Sequence, residues 1–427
     1  MPDWDVVVVG AGAAGLLAAA RAAQRKRRTL LLEKNRKPGV KILMSGGTRC
    51  NLTHATDAKG IIRAYGPPGR FLHSALAGLG PQDLVRLFET EGVPTKVEET
   101  GKIFPTSDKA TDVLAALVRM LQRSGAELSM EEPLEDLRPN DGGGLRLATP
   151  RRALTAGKVI LTTGGKSYPG CGTTGDGYRW TAAMGHTLVP PRPALVPVKT
   201  DASWVPGLKG ITIPDVLVRV VPAEDTSPKR QGGPREPAVP KRSVLAERRS
   251  SFLFTHFGLS GPAVLDVSRA ISGHDRPRTL DLVCDFLPQT SEEEFDRQLG
   301  DEVQSAGKRQ VSTILAQWTV GRLAEVLVAL AGIPSERRAA DLSKAERQRL
   351  VRAVKRLAIP VAGTLGFEKA EVTAGGVALD EVDSRTLQSK VVADLYIAGE
   401  LLDLDGPIGG YNFQAAFSTG WLAGSSV

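Results

Sequence analysis

The sequence predicts an α/β fold in which a Rossmann-type nucleotide-binding domain is opened by the first residues and taken up again by the last. Three stretches carry this prediction. The first runs Asp5-Val-Val-Val-Val-Gly10-Ala-Gly12-Ala-Ala-Gly15, four valines and then three glycines at G-x-G-x-x-G spacing ahead of an alanine-rich segment. That is the pattern of a buried parallel strand turning into a helix. The second is Thr29-Leu-Leu-Leu32, a second strand closed by the carboxylate of Glu33. The third is Val391-Val-Ala-Asp-Leu-Tyr-Ile-Ala-Gly399-Glu400 followed by Gly409-Gly-Tyr-Asn-Phe-Gln414, where a strand, a glycine pair and a helix start recur.

Each glycine of the opening turn has its own task. Gly10 permits the tight turn, Gly12 lets the backbone approach a pyrophosphate, and Gly15 lets helix and strand pack closely. The helix N-terminus offers N–H groups and a partial positive charge to phosphates. Glu33 stands where a carboxylate accepts the hydroxyls of an adenosine ribose, which favours a ribose without a 2′-phosphate. A G-x-G-x-x-G alone is weak evidence; strand, helix, second strand and acid at the expected distances make it specific.

At 427 residues the chain has room for two or three domains with sizeable cores. It is 41% hydrophobic and 24% charged, the balance of a soluble globular protein. No apolar run approaches a membrane span, and the N-terminus enters the first strand without the pattern of a signal peptide. Cys50, Cys171 and Cys284 are too scattered for a disulfide framework or a metal knuckle, so a cytoplasmic protein without a metal site is expected.

The net charge of +8 gathers in the middle of the chain. Residues 225–250 hold Lys229, Arg230, Arg235, Lys241, Arg242, Arg248 and Arg249 against Asp225, Glu236 and Glu247, a local +4. Residues 333–360 hold Arg337, Arg338, Lys344, Arg347, Arg349, Arg352, Lys355 and Arg356 against Glu336, Asp341 and Glu346, a local +5. Such clusters are either solvated faces or a footprint for a polyanion such as RNA.

In chain order, residues 34–51 (KNRKPGVKILMSGGTRCN) lack a helical period and read as a loop passing over a ligand, with Ser45, Gly46 and Gly47 able to form an anion-binding nest. Helical spacing marks 81–91 and 108–123, the latter closed by Gly125. Strands are expected at 127–130, 145–149 and 158–163, the last ending in Gly164-Gly165. A glycine-rich loop, 167–178, leads into a helix with Trp180. From Pro190 prolines break the helical pattern, and alternation at 216–221, 251–255 and 279–286 signals a small antiparallel sheet or barrel. Residues 223–241 read as a hairpin tip. A helical block follows from Ser291, with Glu294 completing a capping box, to Arg356; its last helix turns Leu350, Val351, Val354 and Leu357 to one face.

Six blocks in order bring a family into view: GAGAAGL with Glu33-Lys34, KILMSGGTRCN, TTGGKSYP with TGDGY, HFGLSGPAVL, VTAGGVALDEV and AGELLDLDGPIGGYNFQAA. Over essentially its full length the chain resembles the BaiN/RdsA (YhiN-like) family of FAD-dependent oxidoreductases. It departs at Val40 and Thr48, where that family usually has Arg and Gly, and at Cys171, where it usually has Thr. The resemblance implies a split Rossmann-like FAD-binding domain (1–190 and 374–427), an inserted β-barrel domain (191–288 and 357–373) and a helical subdomain within it (289–356). It also implies FAD contacts at Gly10, Gly12, Ala14, Gly15, Glu33, Lys34, Lys41, Ser45, Gly46, Gly47, Leu134, Thr163, Gly164, Gly165, Asp176, Gly399, Glu400, Gly409, Gly410, Asn412 and Phe413. Leu134 would use its backbone against adenine.

A bound flavin would carry the redox chemistry, with NAD(P)H as a transient reductant because only one G-x-G-x-x-G is evident. Reduction of a carbon–carbon double bond also needs an acid. Cys50, between Arg49 and Asn51, is the candidate, since a neighbouring cation lowers a thiol pKa; the alternative is a small residue packed beside the cofactor. Lys41 is either a stabiliser of negative charge on the reduced flavin or a phosphate contact. His186 and His256 read as structural, and Tyr168 and Tyr411 either cover the ring or pack in the core. The resemblance further implies reduction of a uridine in 23S ribosomal RNA to dihydrouridine, with the basic inserted segments favouring RNA. A small-molecule substrate, a steroid enone or an amine, is the alternative, as is a non-catalytic flavin-binding protein.

Overall fold

The structure is a computed structural model describing residues 1–223 and 244–427. It resolves into two compact units, Met1–Pro193 with Phe367–Val427, and Ala194–Gly366.

The first unit is built on a seven-stranded sheet. Trp4–Val9 lies between Thr29–Leu32 and Ala153–Leu161, parallel to both, and Glu127–Ser129 extends the far edge. The long strand Ala153–Leu161 divides its other edge. Its first half pairs antiparallel with Leu145–Ala148, and its second half takes Leu395–Ile397 in parallel. The C-terminal strand thus enters beside the opening strand's neighbour. Val6, Val7 and Val8 are at most 1% exposed, because a parallel sheet covered on both faces leaves no polar side to its strands.

Helix Ala13–Gln24 and the C-terminal helix Tyr411–Ser426 pack backbone to backbone. A Cβ at Gly420 would lie 2.2 Å from the Ala14 carbonyl oxygen, and one at Gly424 2.3 Å from that of Ala18. Small residues four apart on one helix and alanines four apart on the other permit this approach.

Several sequence expectations change here. Residues 34–51 are not one loop: Val40–Thr48 is helical up to Ser45, where ψ swings to 150° and the helix breaks. Burial of Ile42 supports the turn that periodicity failed to show. The expected strand at 158–163 begins earlier and stops at Leu161, leaving Thr162 to Gly165 as the turn. At Ser291 only half of the capping box forms: Ser291 Oγ accepts the Glu294 N–H at 3.1 Å, while the Glu294 carboxylate accepts from Gln298. The reciprocal box sits at Ser343 and Glu346. The hairpin tip expected at 223–241 lies almost wholly outside the described residues.

The second unit has a seven-stranded sheet running Leu357–Pro360, Leu280–Asp285, Thr212–Pro222, Ala246–Phe254, Gly258–Ser260, Val198–Lys199 and Gly363–Thr364, antiparallel at each pairing. Its first and last strands are neighbours in the chain. Helices Glu292–Ser305, Val311–Leu315, Gly321–Leu330 and Lys344–Lys355 pack into the same core as this sheet.

Candidate functional site

Around the opening turn the local geometry follows from its glycines. Gly10 has φ +100° and its N–H donates to the Leu32 carbonyl at 2.8 Å, tying the two strands at the turn. A Cβ at Gly15 would sit 1.8 Å from the Gly10 carbonyl oxygen, so that position is closed to any side chain. Gly12 is the reverse case: nothing lies within 4 Å of where its Cβ would be. It begins helix Ala13–Gln24, which has no side-chain cap and no acidic residue in its first turn. An open approach to an uncapped helix N-terminus is the cradle an anionic ligand requires.

Glu33, which is buried, accepts the Ala11 N–H at 2.7 Å on one carboxylate oxygen and the Asn35 N–H at 2.8 Å on the other. Each oxygen keeps a further lone pair for a hydroxyl. The segment leading to Leu134 runs alongside, because the Glu33 N–H donates to the Ser129 carbonyl and the Glu132 N–H to that of Glu33. Leu134 itself is 7% exposed and belongs to the core.

That segment is held by a group that sequence reasoning missed. Glu132, with its side chain 1% exposed, accepts from Arg152 Nε at 2.9 Å, Arg152 Nη2 at 3.0 Å, Ser129 Oγ at 2.5 Å and Thr149 Oγ1 at 2.8 Å. Burial alone would raise its pKa; these hydrogen bonds and the guanidinium charge outweigh it and bring the carboxyl down to about 2.

Two further pairs join expected contacts that lie far apart in sequence. Lys34 Nζ donates to Asp176 at 2.6 Å and to Thr174 at 2.7 Å. Lys41 Nζ reaches Glu400 at 2.7 Å and Ser167 at 2.6 Å, while the other Glu400 oxygen accepts from Ser167 Oγ and the Thr373 N–H. The ammonium of Lys41 is therefore neutralised. Thr163 Oγ1, beside Gly164 and Gly165, is buried and has no hydrogen-bond partner among the described residues. Gly399 has φ +74°, and its Cβ would lie 3.1 Å from that of Ala14, so the end of the C-terminal strand abuts the first helix. Ser167 and Thr373 stand inside blocks already singled out, GGKSYP and VTAGG, and could have been read from them; the Glu132–Arg152 pair has no comparable signal.

At the C-terminal glycine pair, a Cβ at Gly410 would come within 2.5 Å of the Thr53 carbonyl oxygen, and Gly409 has φ +126°. Asn412 spends its side chain on Gly406, accepting from its N–H at 2.8 Å and donating to its carbonyl at 2.9 Å. Phe413 packs on Phe417. Tyr411 stacks on His54 with centroids 4.8 Å apart. His186 is held between Glu381 and Ser389 inside the fold.

The nest expected at Ser45, Gly46 and Gly47 continues through Thr48: φ is +55°, +67° and +70° at residues 46 to 48, and +62° at Cys50. Thr48 is exposed and β-branched in a region that suits glycine. We expect Thr48→Gly to raise stability by up to about 1 kcal/mol, read as a higher urea midpoint at unchanged slope. An unchanged or lower midpoint would show that the loop carries no strain there.

For Cys50 the structure reverses the premise drawn from sequence. The side chain is 0% exposed, and burial pushes the thiol up to about 12, with the Ser45 hydroxyl offsetting only part. The Arg49 guanidinium is turned instead onto Glu98 at 2.6 Å and over the Phe104 ring at 4.0 Å.

Fold and site together define a Rossmann-type dinucleotide-binding protein. The family described as HI0933-like protein Rossmann domain matches residues 4–426. The chain is 31% identical to the ribosomal RNA dihydrouridine synthase of Escherichia coli, across 100% of this chain and 98% of that one. It is 32% identical to the 3-dehydro-bile acid delta(4,6)-reductase of Clostridium scindens, across 98% of each. Among solved structures, a 3-ketosteroid-delta4-(5alpha)-dehydrogenase from Rhodococcus jostii covers 100% of this chain at 16% identity and a TM-score of 0.48. The chain belongs to the HI0933-like family, the FAD-dependent oxidoreductases that its motifs resemble.

Proposed function

We propose that this protein binds FAD and reduces a uridine of 23S ribosomal RNA to dihydrouridine with electrons from NAD(P)H. One observation carries the reading: 31% identity along essentially the whole chain with proteins named ribosomal RNA dihydrouridine synthase in two organisms, Escherichia coli and Haemophilus influenzae. The bile-acid reductase fits the same chemistry. Uridine and a steroid enone each present a carbon–carbon double bond conjugated to a carbonyl, and reduction adds a hydride at one carbon and a proton at its neighbour.

The residues fit the cofactor. Gly12 and the uncapped helix would take the pyrophosphate, the spare lone pairs of Glu33 the adenosine ribose, and Thr163 Oγ1 is a buried hydroxyl awaiting a partner. Bound there, FAD supplies hydride transfer. The Lys41–Glu400–Ser167 network would orient the loops of three motifs about it without adding net charge. In the inserted unit, segment 357–364 pairs with Leu280–Asp285 through its first strand and with Val198–Lys199 through its last, which supports a barrel there.

The test is dihydrouridine content of 23S ribosomal RNA, by mass spectrometry, from the source organism with and without the gene. We expect one dihydrouridine to disappear on deletion and to return with the intact gene; an unchanged map would refute the reading. Complementation with Cys50→Ala is expected to restore the modification, since a fully buried thiol packs rather than donates. Failure of that variant alone, with FAD retained, would restore Cys50 as the proton donor.

A further inference from the structure

Half of the second basic cluster that suggested RNA is spent inside its own unit. Arg337 pairs with Glu346, Arg347 with Asp296, Lys355 with Asp285 and Arg356 with Glu292. Lys355 is 6% exposed. In the first cluster Arg248 and Arg249 pair with Asp266 and Asp215, and Lys229, Arg230, Arg235, Lys241 and Arg242 lie outside the described residues. A cation already paired with a carboxylate has little counterion to release to a phosphate.

A different basic surface lies on the nucleotide-binding unit. Helix Ala13–Gln24 ends in Arg25, Lys26, Arg27 and Arg28, all exposed, with Lys26 at φ +64° in the turn that starts the next strand. Among the described residues no Asp or Glu carboxylate lies within ion-pair distance of Arg25, Lys26, Arg27 or Lys158, and Arg27 Nε donates to the oxygen of the C-terminal Val427 at 3.4 Å. Arg27 and Lys158 converge on a cavity of about 200 Å³ at the start of the parallel strands, which Asp5 and Gly157 also line. The nearby acids are engaged: Asp5 accepts the Arg28 N–H at 2.8 Å, and Asp3 accepts from Thr155 at 2.7 Å. Aromatic rings stand under neighbouring cations, Trp4 beneath Arg28 and Tyr396 beneath Lys158. Cations without an Asp or Glu partner around a small recess, with rings close by, suit a phosphodiester backbone.

We propose that Arg25, Lys26, Arg27 and Lys158 form a docking surface for the sugar–phosphate backbone of RNA, at the end of the sheet away from the glycine turn. The inference rests on the ribosomal RNA reading and adds where the RNA is held. The surface stands about 20 Å from the turn, the length of the opening strand, a span that a folded RNA bridges easily.

The experiment titrates the full-length holoprotein with a 23S ribosomal RNA fragment across a salt series, comparing wild type with Arg25→Ala/Lys26→Ala/Arg27→Ala. A control carries Arg338→Ala/Lys344→Ala/Arg352→Ala. Flavin content and thermal midpoint establish that each variant folds. We expect the first triple variant to bind at least about tenfold more weakly near 0.1 M salt, and its slope of log K against log salt to shrink by about two to three. The control should change less, and Arg25→Lys/Arg27→Lys should bind as wild type. Unchanged affinity and slope in the first triple variant would overturn the surface, even where deletion of the gene removes a dihydrouridine. An unaltered modification map together with patch-dependent RNA binding would instead refute the substrate and leave the surface standing. Phosphatidylserine vesicles form the last arm; losing vesicle binding but not RNA binding through these residues would overturn the inference in favour of a membrane surface.

Discussion

Gly15→Ala is expected to destabilise the protein by about 3 kcal/mol or more and to abolish flavin retention. The added methyl would meet the Gly10 carbonyl oxygen at 1.8 Å and Thr162 Oγ1 at 2.5 Å, and the first is backbone, unable to rotate away. Relief requires moving helix Ala13–Gln24 off the sheet, at the cost of an overpacked core. Gly12→Ala is the matched comparison. Its φ of −83° is open to alanine and no atom lies within 4 Å, so stability should stay within about 1 kcal/mol while the methyl obstructs the phosphate approach. Urea unfolding and the flavin absorbance remaining after gel filtration separate the two. If Gly15→Ala unfolds at the wild-type midpoint, the close packing described at the turn is wrong; if Gly12→Ala keeps its flavin, the cradle is not where the cofactor lies.

Arg152→Ala should be the most damaging single change away from the turn. It leaves the Glu132 carboxylate buried without its guanidinium, a situation that costs about 3–5 kcal/mol. Glu132→Gln should cost less, because Arg152 is 38% exposed and water can solvate it. The pH dependence follows from the depressed carboxyl. An ordinary glutamate titrates near 4.5 and Glu132 in the folded protein near 2, so the unfolded chain takes up the proton first. The stabilisation is complete above pH 4.5 and is lost as pH falls toward 2, about 3 kcal/mol in all. Urea midpoints across that range should fall more steeply for wild type than for Glu132→Gln. Parallel curves would place the acid sensitivity elsewhere. Because Glu132 holds the segment beside Glu33, flavin affinity should fall in both variants as well.

The parts of this protein legible in its sequence are those in which a residue's role depends on its immediate neighbours. The valine run, the turn at Gly10 and the close packing at Gly15 follow from burial periodicity and from the absence of a Cβ, so the opening of the fold could be placed to the residue. Glu33 could be placed too, since a strand end is a fixed distance from the turn before it. The helix over Val40–Thr48 escaped because one buried residue, Ile42, supports it without a repeating apolar face.

What the sequence by itself determined, then, is the glycine turn after the first strand, the buried acid that closes the second, and the family to which the chain belongs. The tertiary structure alone decided which charges meet. Lys41 finds Glu400 from 359 positions away, Glu132 finds Arg152, and Asp285, Glu292 and Asp296 neutralise cations that look free when counted along the chain. Arg25, Lys26 and Arg27, a short run beside Arg28, keep their charge because no Asp or Glu among the described residues folds against them. Backbone conformation is set by local sterics, whereas the worth of a charge is set by its partner and by the water it has lost, and both are known only once distant segments have packed.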